Sequence, residues 1–524
     1  MTPAELIQQI DAHCFENISV LPSDTLSVPE TEMDLFSHEI LRILQDPAFD
    51  IAGFFSMLQQ YCASIPFSHG QFALYCYSIL LALNPSVEWA SHIYELAQNY
   101  CTPFQNLFIS TQLHKLYILD PTFPVTDFRD HLFYGAYSSY RELLSASLSP
   151  IPKEERVANR VLVICSQFLS LSHAPTRTVL ERCHTLQKEL GKEILLINTL
   201  EEYSCYGKIP YFDTAVGVIN DSLFSASAIS YEDIRIPFRQ FQMNYLYPAN
   251  TQSVINAIRD YRPYEIIFVG GCHSIISTLC AEIIPTISIS VSFTSLMHKQ
   301  HQYISVGRPV TEAEYGSLED AGIERERIIE STFCFKLNTE HGTLSRTQLG
   351  LPEDKFLMGV IGIRLDADVS VDFLNAMQET LPWGAHLVFA GKFDDYNTRC
   401  EQFSWLREHS TYIGYQTDIL AVWTCLDLYV NPKRLGGGFS IIEAFSMGVP
   451  GVTIGFGDVA ASAGTDFCVD NYEEMLDTIH RYITDYDFYH AMAKKGLTRT
   501  ETVFNSRQAM EHILSEAEHR KFFF

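Results

Sequence analysis

Between Asn431 and Gly451 the sequence reads NPKRLGGGFSIIEAFSMGVPG. Lys433 and Arg434 stand just ahead of Gly436, Gly437 and Gly438, and Phe439, Ser440 and Glu443 follow. Glycine lets backbone approach a ligand closely. A helix start offers unsatisfied N–H groups and positive dipole charge to an anion. Cations, glycines and a helix start in this order therefore read as a phosphate-binding loop. Leu426–Val430 upstream reads as a short buried strand, an apolar helix opens at Ser440 and ends near Gly448, and Gly451–Ile454 reads as a second strand. The loop would then lie at the carboxyl end of a strand in a βαβ unit, where ligands bind in parallel α/β sheets. A purely local alternative stays open. Ser440-x-x-Glu443 is also a capping box, in which Glu443 would only satisfy its own helix N-terminus.

The elements that must position this loop follow from the rest of the chain. With 524 residues and 47% apolar content it has material for roughly three or four domain-sized units. No apolar run reaches the roughly 18–20 residues that a spanning helix needs. The longest candidate, Phe72–Leu83, reads as a buried helix, and MTPAELIQQIDAH has no basic or apolar region of a signal peptide. The 13 cysteines include no Cys-x-x-Cys pair, and Cys76, Cys165, Cys280 and Cys425 fall in apolar segments. That pattern fits reduced thiols of a cytoplasmic protein better than a disulfide or zinc framework. A net charge of −27 repels nucleic acid and anionic lipid.

Residues 1–150 show helical spacing, as at Phe36, Ile40, Ile43 and Leu44, and read as an all-α domain of roughly six to eight helices. Ser149–Arg156, with two prolines and a charge run, reads as a linker. From Arg160 the pattern becomes α/β: strands at Arg160–Ser166, Glu193–Ile197, Ala215–Ile219, Ile266–Val269 and Thr286–Val291, with a helix at Thr178–Leu190. This makes a Rossmann-like, doubly wound domain over 155–340, without the G-x-G-x-x-G of dinucleotide binding. A second such domain covers 345–505, with strands at Phe356–Ile363 and His386–Ala390 and a helix at Asp418–Thr424; Tyr472–His519 reads as two or three amphipathic helices, with a C-terminal helix over 506–524. The fold class is thus α/β: two tandem Rossmann-like domains preceded by an all-α domain. A ligand cleft is expected between the two.

The second domain resembles the retaining GT-B glycosyltransferases of family 4, the glycosyl transferases group 1. The likeness rests on Ile363-Arg364-Leu365, the strand ends at Gly391 and Tyr412-Ile413-Gly414, Asn431-Pro432, Gly436, Glu443-Ala444-Phe445 and Gly448-Val449-Pro450. The tail Gly457-Asp458-Val459-Ala460 is similar to members from bacterial surface-polysaccharide and protein-glycosylation clusters. Helices ahead of a GT-B pair resemble the layout of bacterial O-GlcNAc-transferase-like enzymes. The resemblance implies a nucleotide-sugar donor, UDP-sugar first, and a polysaccharide precursor or protein as acceptor. It implies that Glu443 accepts hydrogen bonds from ribose hydroxyls, that Arg364 pairs with the diphosphate, and that backbone N–H groups of Gly436–Ser440 cradle the leaving phosphate. No cofactor and no metal are expected; Asp366 and Asp368 form the nearest Asp-x-Asp, and they read as loop and helix-cap acids.

Two positions depart from the family pattern. Leu435 stands where an acid eight residues before the ribose-binding Glu is usual, and Leu365-Asp366-Ala367-Asp368 follows Arg364 in place of a nearby Lys. Lys392, Lys433 or Arg434 would then supply the second cation. The catalytic candidates are His173, Arg364 and Glu443. The donor-binding candidates are Lys392, Lys433, Arg434, Gly436, Gly437, Gly438, Phe439, Ser440 and Glu443. His173, in the loop after the first strand, reads as a sugar contact or base, or else as a cap on the next helix; His273 reads the same way after a later strand. Two other classes remain: a non-catalytic GT-B subunit that stabilises an active partner through the helical domain, or assembles with itself, and a nucleotide-sugar epimerase.

Overall fold

The computed structural model describes residues 1–18, 36, 39–40, 42–44, 46–119, 123–171, 173–201, 220–241, 248–270, 274–291, 299–337 and 340–520. By internal contacts these fall into two compact units, residues up to 304 and residues 305–520. The expected strand at 215–219 and the loop carrying His273 lie outside the described residues.

In the first unit, helices Pro3–Ile18, Ile51–Cys62, Gly70–Leu83, Val87–Tyr100, Pro103–Leu119 and Thr126–Leu144 come first. Gly70–Leu83 is the buried one: Phe72, Leu74, Tyr75, Cys76, Ile79 and Leu80 are all enclosed. Side chains start two of its neighbours, the Asp50 carboxylate accepting from Gly53 N at 2.9 Å and the Ser86 hydroxyl from Trp89 N at 3.3 Å.

The strands of this unit are β1 (Val157–Cys165), β2 (Glu193–Asn198), β3 (Ala228–Tyr231), β4 (Ile234–Gln240), β5 (Pro263–Gly270), β6 (Thr286–Ser290) and β7 (Tyr303–Val306), where the division between units falls. They run in the order β3-β4-β2-β1-β5-β6-β7. The continuous apolar run of β1 is buried from Val161 to Cys165, as a central parallel strand requires. The sheet is not wholly parallel, because β3 pairs antiparallel to β4. The helices do not stand apart from it. Phe133, Ala136, Tyr137, Tyr140 and Leu144 share one core with Leu162, Ile164, Ile266 and Phe268. Glu282 fastens the same helix, accepting from the Tyr137 hydroxyl at 2.5 Å and from Arg141 Nε at 2.9 Å.

Past the end of β2 lies a buried carboxylate. Glu201 accepts hydrogen bonds from the hydroxyls of Ser274 and Thr199, the latter at 2.8 Å, and from Ile276 N at 3.2 Å. Burial outweighs these bonds and raises its pKa from 4.5 to about 7. The unfolded chain therefore releases this proton at lower pH than the folded one. Stability should fall as pH rises from 4.5 through about 7, by an amount on the order of 3 kcal/mol, and be flat above. Denaturant unfolding from pH 4.5 to 8.5 checks this, and Glu201→Gln should abolish the slope.

In the second unit helix Glu312–Asp320 and β8 (Ile328–Glu330) come first, and the unit centres on β9 (Phe356–Gly362), β10 (Ala385–Gly391), β11 (Ser410–Tyr412), β12 (Leu428–Asn431), β13 (Gly451–Ile454) and β14 (Cys468–Val469). Their order is β11-β10-β9-β12-β13-β14, every pair parallel. Counted from β9 this is 3-2-1-4-5-6, the doubly wound Rossmann order. The core packs Trp423, Phe389, Phe445 and Ile442 against these strands. Helices Tyr472–Thr484, Tyr486–Val503 and Ser506–Arg520 complete the unit, and Arg520 Nη1 donates to the Ile328 carbonyl at 2.5 Å. Among the described residues, no helix is long and apolar enough to cross a membrane.

Candidate functional site

In an order 3-2-1-4-5-6 sheet the connections after strands 1 and 4 leave in opposite directions, which opens a crevice at the carboxyl ends. Here those connections begin at Ile363-Arg364 after β9 and at Pro432–Gly437 after β12. Folding thus brings Arg364 to the glycine loop. A Cβ built on Gly436 would stand 3.4 Å from Arg364 Nη2 and 3.9 Å from Asp458 Oδ2. The Arg364 side chain is 44% exposed, with Asp368 Oδ1 at 3.9 Å.

The helix after the loop runs Gly438–Ser446, and its N-cap is Gly437, at φ +102°. The capping-box alternative does not hold. Ser440 lies within the first turn and turns back, its hydroxyl donating to the Gly437 carbonyl at 2.7 Å and meeting the Tyr429 hydroxyl at 2.9 Å. Glu443 is half-buried one turn further on, inside the helix rather than at the third position after a Ser440 cap.

Beneath the loop is a buried polar network. The Arg434 side chain is only 3% exposed. Its Nη1 pairs with Asp368 Oδ2 at 3.2 Å, and its Nη2 donates to the Ile361 carbonyl at 2.8 Å and to the Tyr429 hydroxyl at 3.0 Å. The Tyr429 hydroxyl in turn donates to Asn431 Oδ1 at 3.0 Å, and Asn431 Nδ2 to Thr453 Oγ1 at 3.0 Å. Burial pulls the Arg434 pKa down, but Tyr429 and Asp368 more than offset it, so the guanidinium stays charged. Arg434, expected at the donor, therefore sits under the loop. Asp368, read as a helix-cap acid, is its counterion.

Gly437 covers that guanidinium. A Cβ there would meet Arg434 Nη2 at 3.0 Å and Cζ at 3.1 Å, on a backbone at φ +102°. Gly437→Ala should cost about 1–3 kcal/mol of stability. Gly436→Ala, at ordinary φ and ordinary contact distances, should change stability by less than about 0.5 kcal/mol. Thermal unfolding of the two variants side by side checks the contrast.

The remaining expected residues are placed as follows. Gly438 packs tightly on helix Gly457–Ala463, where a Cβ would lie 2.6 Å from Ser462 Oγ. Phe439 turns inward and stacks on Phe335, with centroids 3.9 Å apart, so its ring belongs to the core. Lys433 is exposed, its ammonium 5.4 Å over the Phe456 ring, and its backbone N donates to the Tyr472 hydroxyl at 3.2 Å. Lys392 is exposed beside Asp394 at 3.1 Å. His173 belongs to the first unit. It is the N-cap residue of helix Ala174–His184, its Nδ1 lies 3.0 Å from the Thr176 hydroxyl, and burial and then Arg177 lower its pKa. Sequence reasoning gave Asp458 no role, although a residue opening the helix after β13 had to come close to the loop after the adjacent β12.

The Asp-x-Asp carboxylates are engaged by the protein: Asp366 Oδ1 accepts from Asp395 N at 2.7 Å, and Asp368 pairs with Arg434. Among the described residues, one group has metal-type geometry. His184, at the end of helix Ala174–His184, and Glu232 and Asp233, in the turn between β3 and β4, bring ligand atoms within 4.8 Å of one another, and the Lys188 ammonium already stands 2.9 Å from Asp233.

The protein thus has two Rossmann-like α/β sheets preceded by helices, with a glycine-rich loop at the switch point of the second sheet. Residues 363–485 of that second sheet's domain match the family described as glycosyl transferases group 1. The chain is similar to a glycosyltransferase from Rickettsia africae ESF-5 at 13% identity and TM-score 0.49, covering 70% of this chain and 100% of that one. A mutant O-GlcNAc transferase of Thermobaculum terrenum aligns over 99% of this chain and 98% of its own at 15% identity and TM-score 0.49. Anabaena HepE, in complex with UDP, aligns at 13% identity and TM-score 0.47 over 68% of this chain and 99% of its own. No curated protein matches the chain.

Proposed function

We propose that this protein is a glycosyltransferase that moves a sugar from a nucleotide donor, a UDP-sugar first, to a polysaccharide precursor or a protein in the cytoplasm. One observation carries the reading: the family-matched segment places the Arg364 guanidinium within reach of the glycine loop at the switch point of a Rossmann sheet. Arg364 binds the diphosphate; its fork suits phosphate oxygens. The N–H groups at the start of helix Gly438–Ser446 hold the phosphate as it leaves, which stabilises the charge that develops when the glycosidic bond breaks. Glu443 accepts hydrogen bonds from the ribose hydroxyls. Lys433 and Lys392, both exposed, lend further positive charge.

In this reading Arg434 and Phe439 support the loop and do not touch the donor. Charge neutralisation falls to Arg364, the lysines and the helix start, and the engaged carboxylates of Asp366 and Asp368 are poorly suited to a metal. His173 stays a candidate for a sugar contact or base; burial and then Arg177 lower its pKa. The helical region offers the surface for an acceptor, a partner or a second copy.

The experiment is incubation of purified protein with UDP-glucose, UDP-N-acetylglucosamine and the GDP-sugars, with release of nucleoside diphosphate as the readout. Release from one donor supports the enzyme. Leu435, aliphatic where the family carries an acid, favours a second reading as a non-catalytic subunit, and diphosphate binding without any release supports that one.

A further inference from the structure

We infer that Asp458 is the specificity-determining acid of this site and receives hydroxyl groups of the transferred sugar; the inference rests on the nucleotide-sugar reading above. Helix Gly457–Ala463 opens just past the carboxyl end of β13, the strand beside β12. Its first turn is tied to the loop, since Asp458 N donates to the Leu435 carbonyl at 2.6 Å. The Asp458 carboxylate and the Arg364 guanidinium both lie within 4 Å of the point where a Gly436 side chain would begin. Gly436 has no positive φ to explain its identity. What it provides is space, and a cation and an acid both border that space within 4 Å.

A carboxylate only accepts hydrogen bonds, and so does a phosphate oxygen. An acid at the rim of a diphosphate site would repel the ligand's anionic part. It therefore suits the part of the ligand that donates, the hydroxyl-rich sugar attached to the terminal phosphate. The Leu435 side chain has no polar atom to offer there, and Asp458 brings a carboxylate to the neighbouring residue from a different helix. The site then divides at Gly436, with Arg364 on the phosphate side and Asp458 on the sugar side.

The test compares wild type, Asp458→Asn and Asp458→Glu by calorimetric titration with UDP, GDP, UDP-glucose and GDP-glucose, alongside thermal unfolding. For the nucleotide that wild type binds, Asp458→Asn should keep the affinity for the bare diphosphate within about twofold. It should lose about tenfold or more for the sugar nucleotide, the scale of a hydrogen bond to a charged group. Asp458→Glu keeps the charge, so diphosphate binding should persist while the discrimination between sugar nucleotide and diphosphate shifts. Equal loss for both ligands would mean that Asp458 acts by holding Arg364, and would overturn the inference. A lower unfolding temperature with both affinities unchanged would reduce it to a helix-start acid. Failure of the underlying reading looks different: wild type itself would bind neither UDP nor GDP.

Discussion

Arg434→Met lowers the unfolding free energy of the second unit by about 3–5 kcal/mol, the range for breaking a buried ion pair. The mutation leaves the Asp368 carboxylate, 11% exposed, without its 3.2 Å partner. It also strips the Ile361 carbonyl and the Tyr429 hydroxyl of their donor. Arg434→Lys should recover little, because one ammonium cannot reproduce a planar fork that reaches Asp368, Ile361 and Tyr429 together. The double variant Arg434→Met/Asp368→Leu should be more stable than Arg434→Met alone, since it also removes a buried carboxylate left with only Arg364 at 3.9 Å. Denaturant unfolding of the three variants measures this. Diphosphate binding should fall in step with stability for Arg434→Met, because the guanidinium is the floor on which Gly437 rests.

The second large effect separates binding from folding. Arg364 is 44% exposed and its nearest acid oxygen lies at 3.9 Å, so Arg364→Ala should change stability by less than about 0.5 kcal/mol. Glu443 is half-buried in the helix that follows the loop. Turnover should nevertheless drop by roughly 10²–10³ in Arg364→Ala, the usual cost of one preorganised donor at a developing negative charge. Glu443→Ala should weaken the whole nucleotide, diphosphate and sugar nucleotide alike, because the ribose is common to both. Unchanged diphosphate release in both variants would remove these residues from the mechanism.

The contrast between these two arginines shows what the sequence could reveal. Both stand beside glycines and apolar strands, and residue type assigned both to the donor. That Arg434 threads beneath Gly437 while Arg364 remains exposed depends on how β9 and β12 are paired, which no local pattern carries. The strand Gly451–Ile454 and the helix around Ser440 were legible because buried parallel strands and apolar helices are continuous runs. The hairpin of β3 and β4 was not. Its turn at Glu232-Asp233 lacks glycine, with Glu232 itself at φ +50°, and its strands carry mixed polar and apolar residues. Ser440-x-x-Glu443 matched a capping box in sequence, but Gly437 starts the helix three residues earlier and moves both residues inside it. Residues 1–150 read as a domain apart, because their helical spacing cannot show that Thr126–Leu144 shares a core with β1 and β5. Asp458 escaped notice for a related reason: its place beside Gly436 follows from strand order, not from spacing along the chain.

The proposed function requires a nucleoside-diphosphate site at the Gly436–Ser440 loop. The most direct measurement is calorimetric titration of the intact protein with UDP and GDP, in wild type, Arg364→Ala and Glu443→Ala. One saturable site is expected for one of the two nucleotides, weakened at least tenfold in both variants, while the unfolding temperature of Arg364→Ala stays near wild type. Absence of binding in wild type, or binding that both variants retain undiminished, would contradict it.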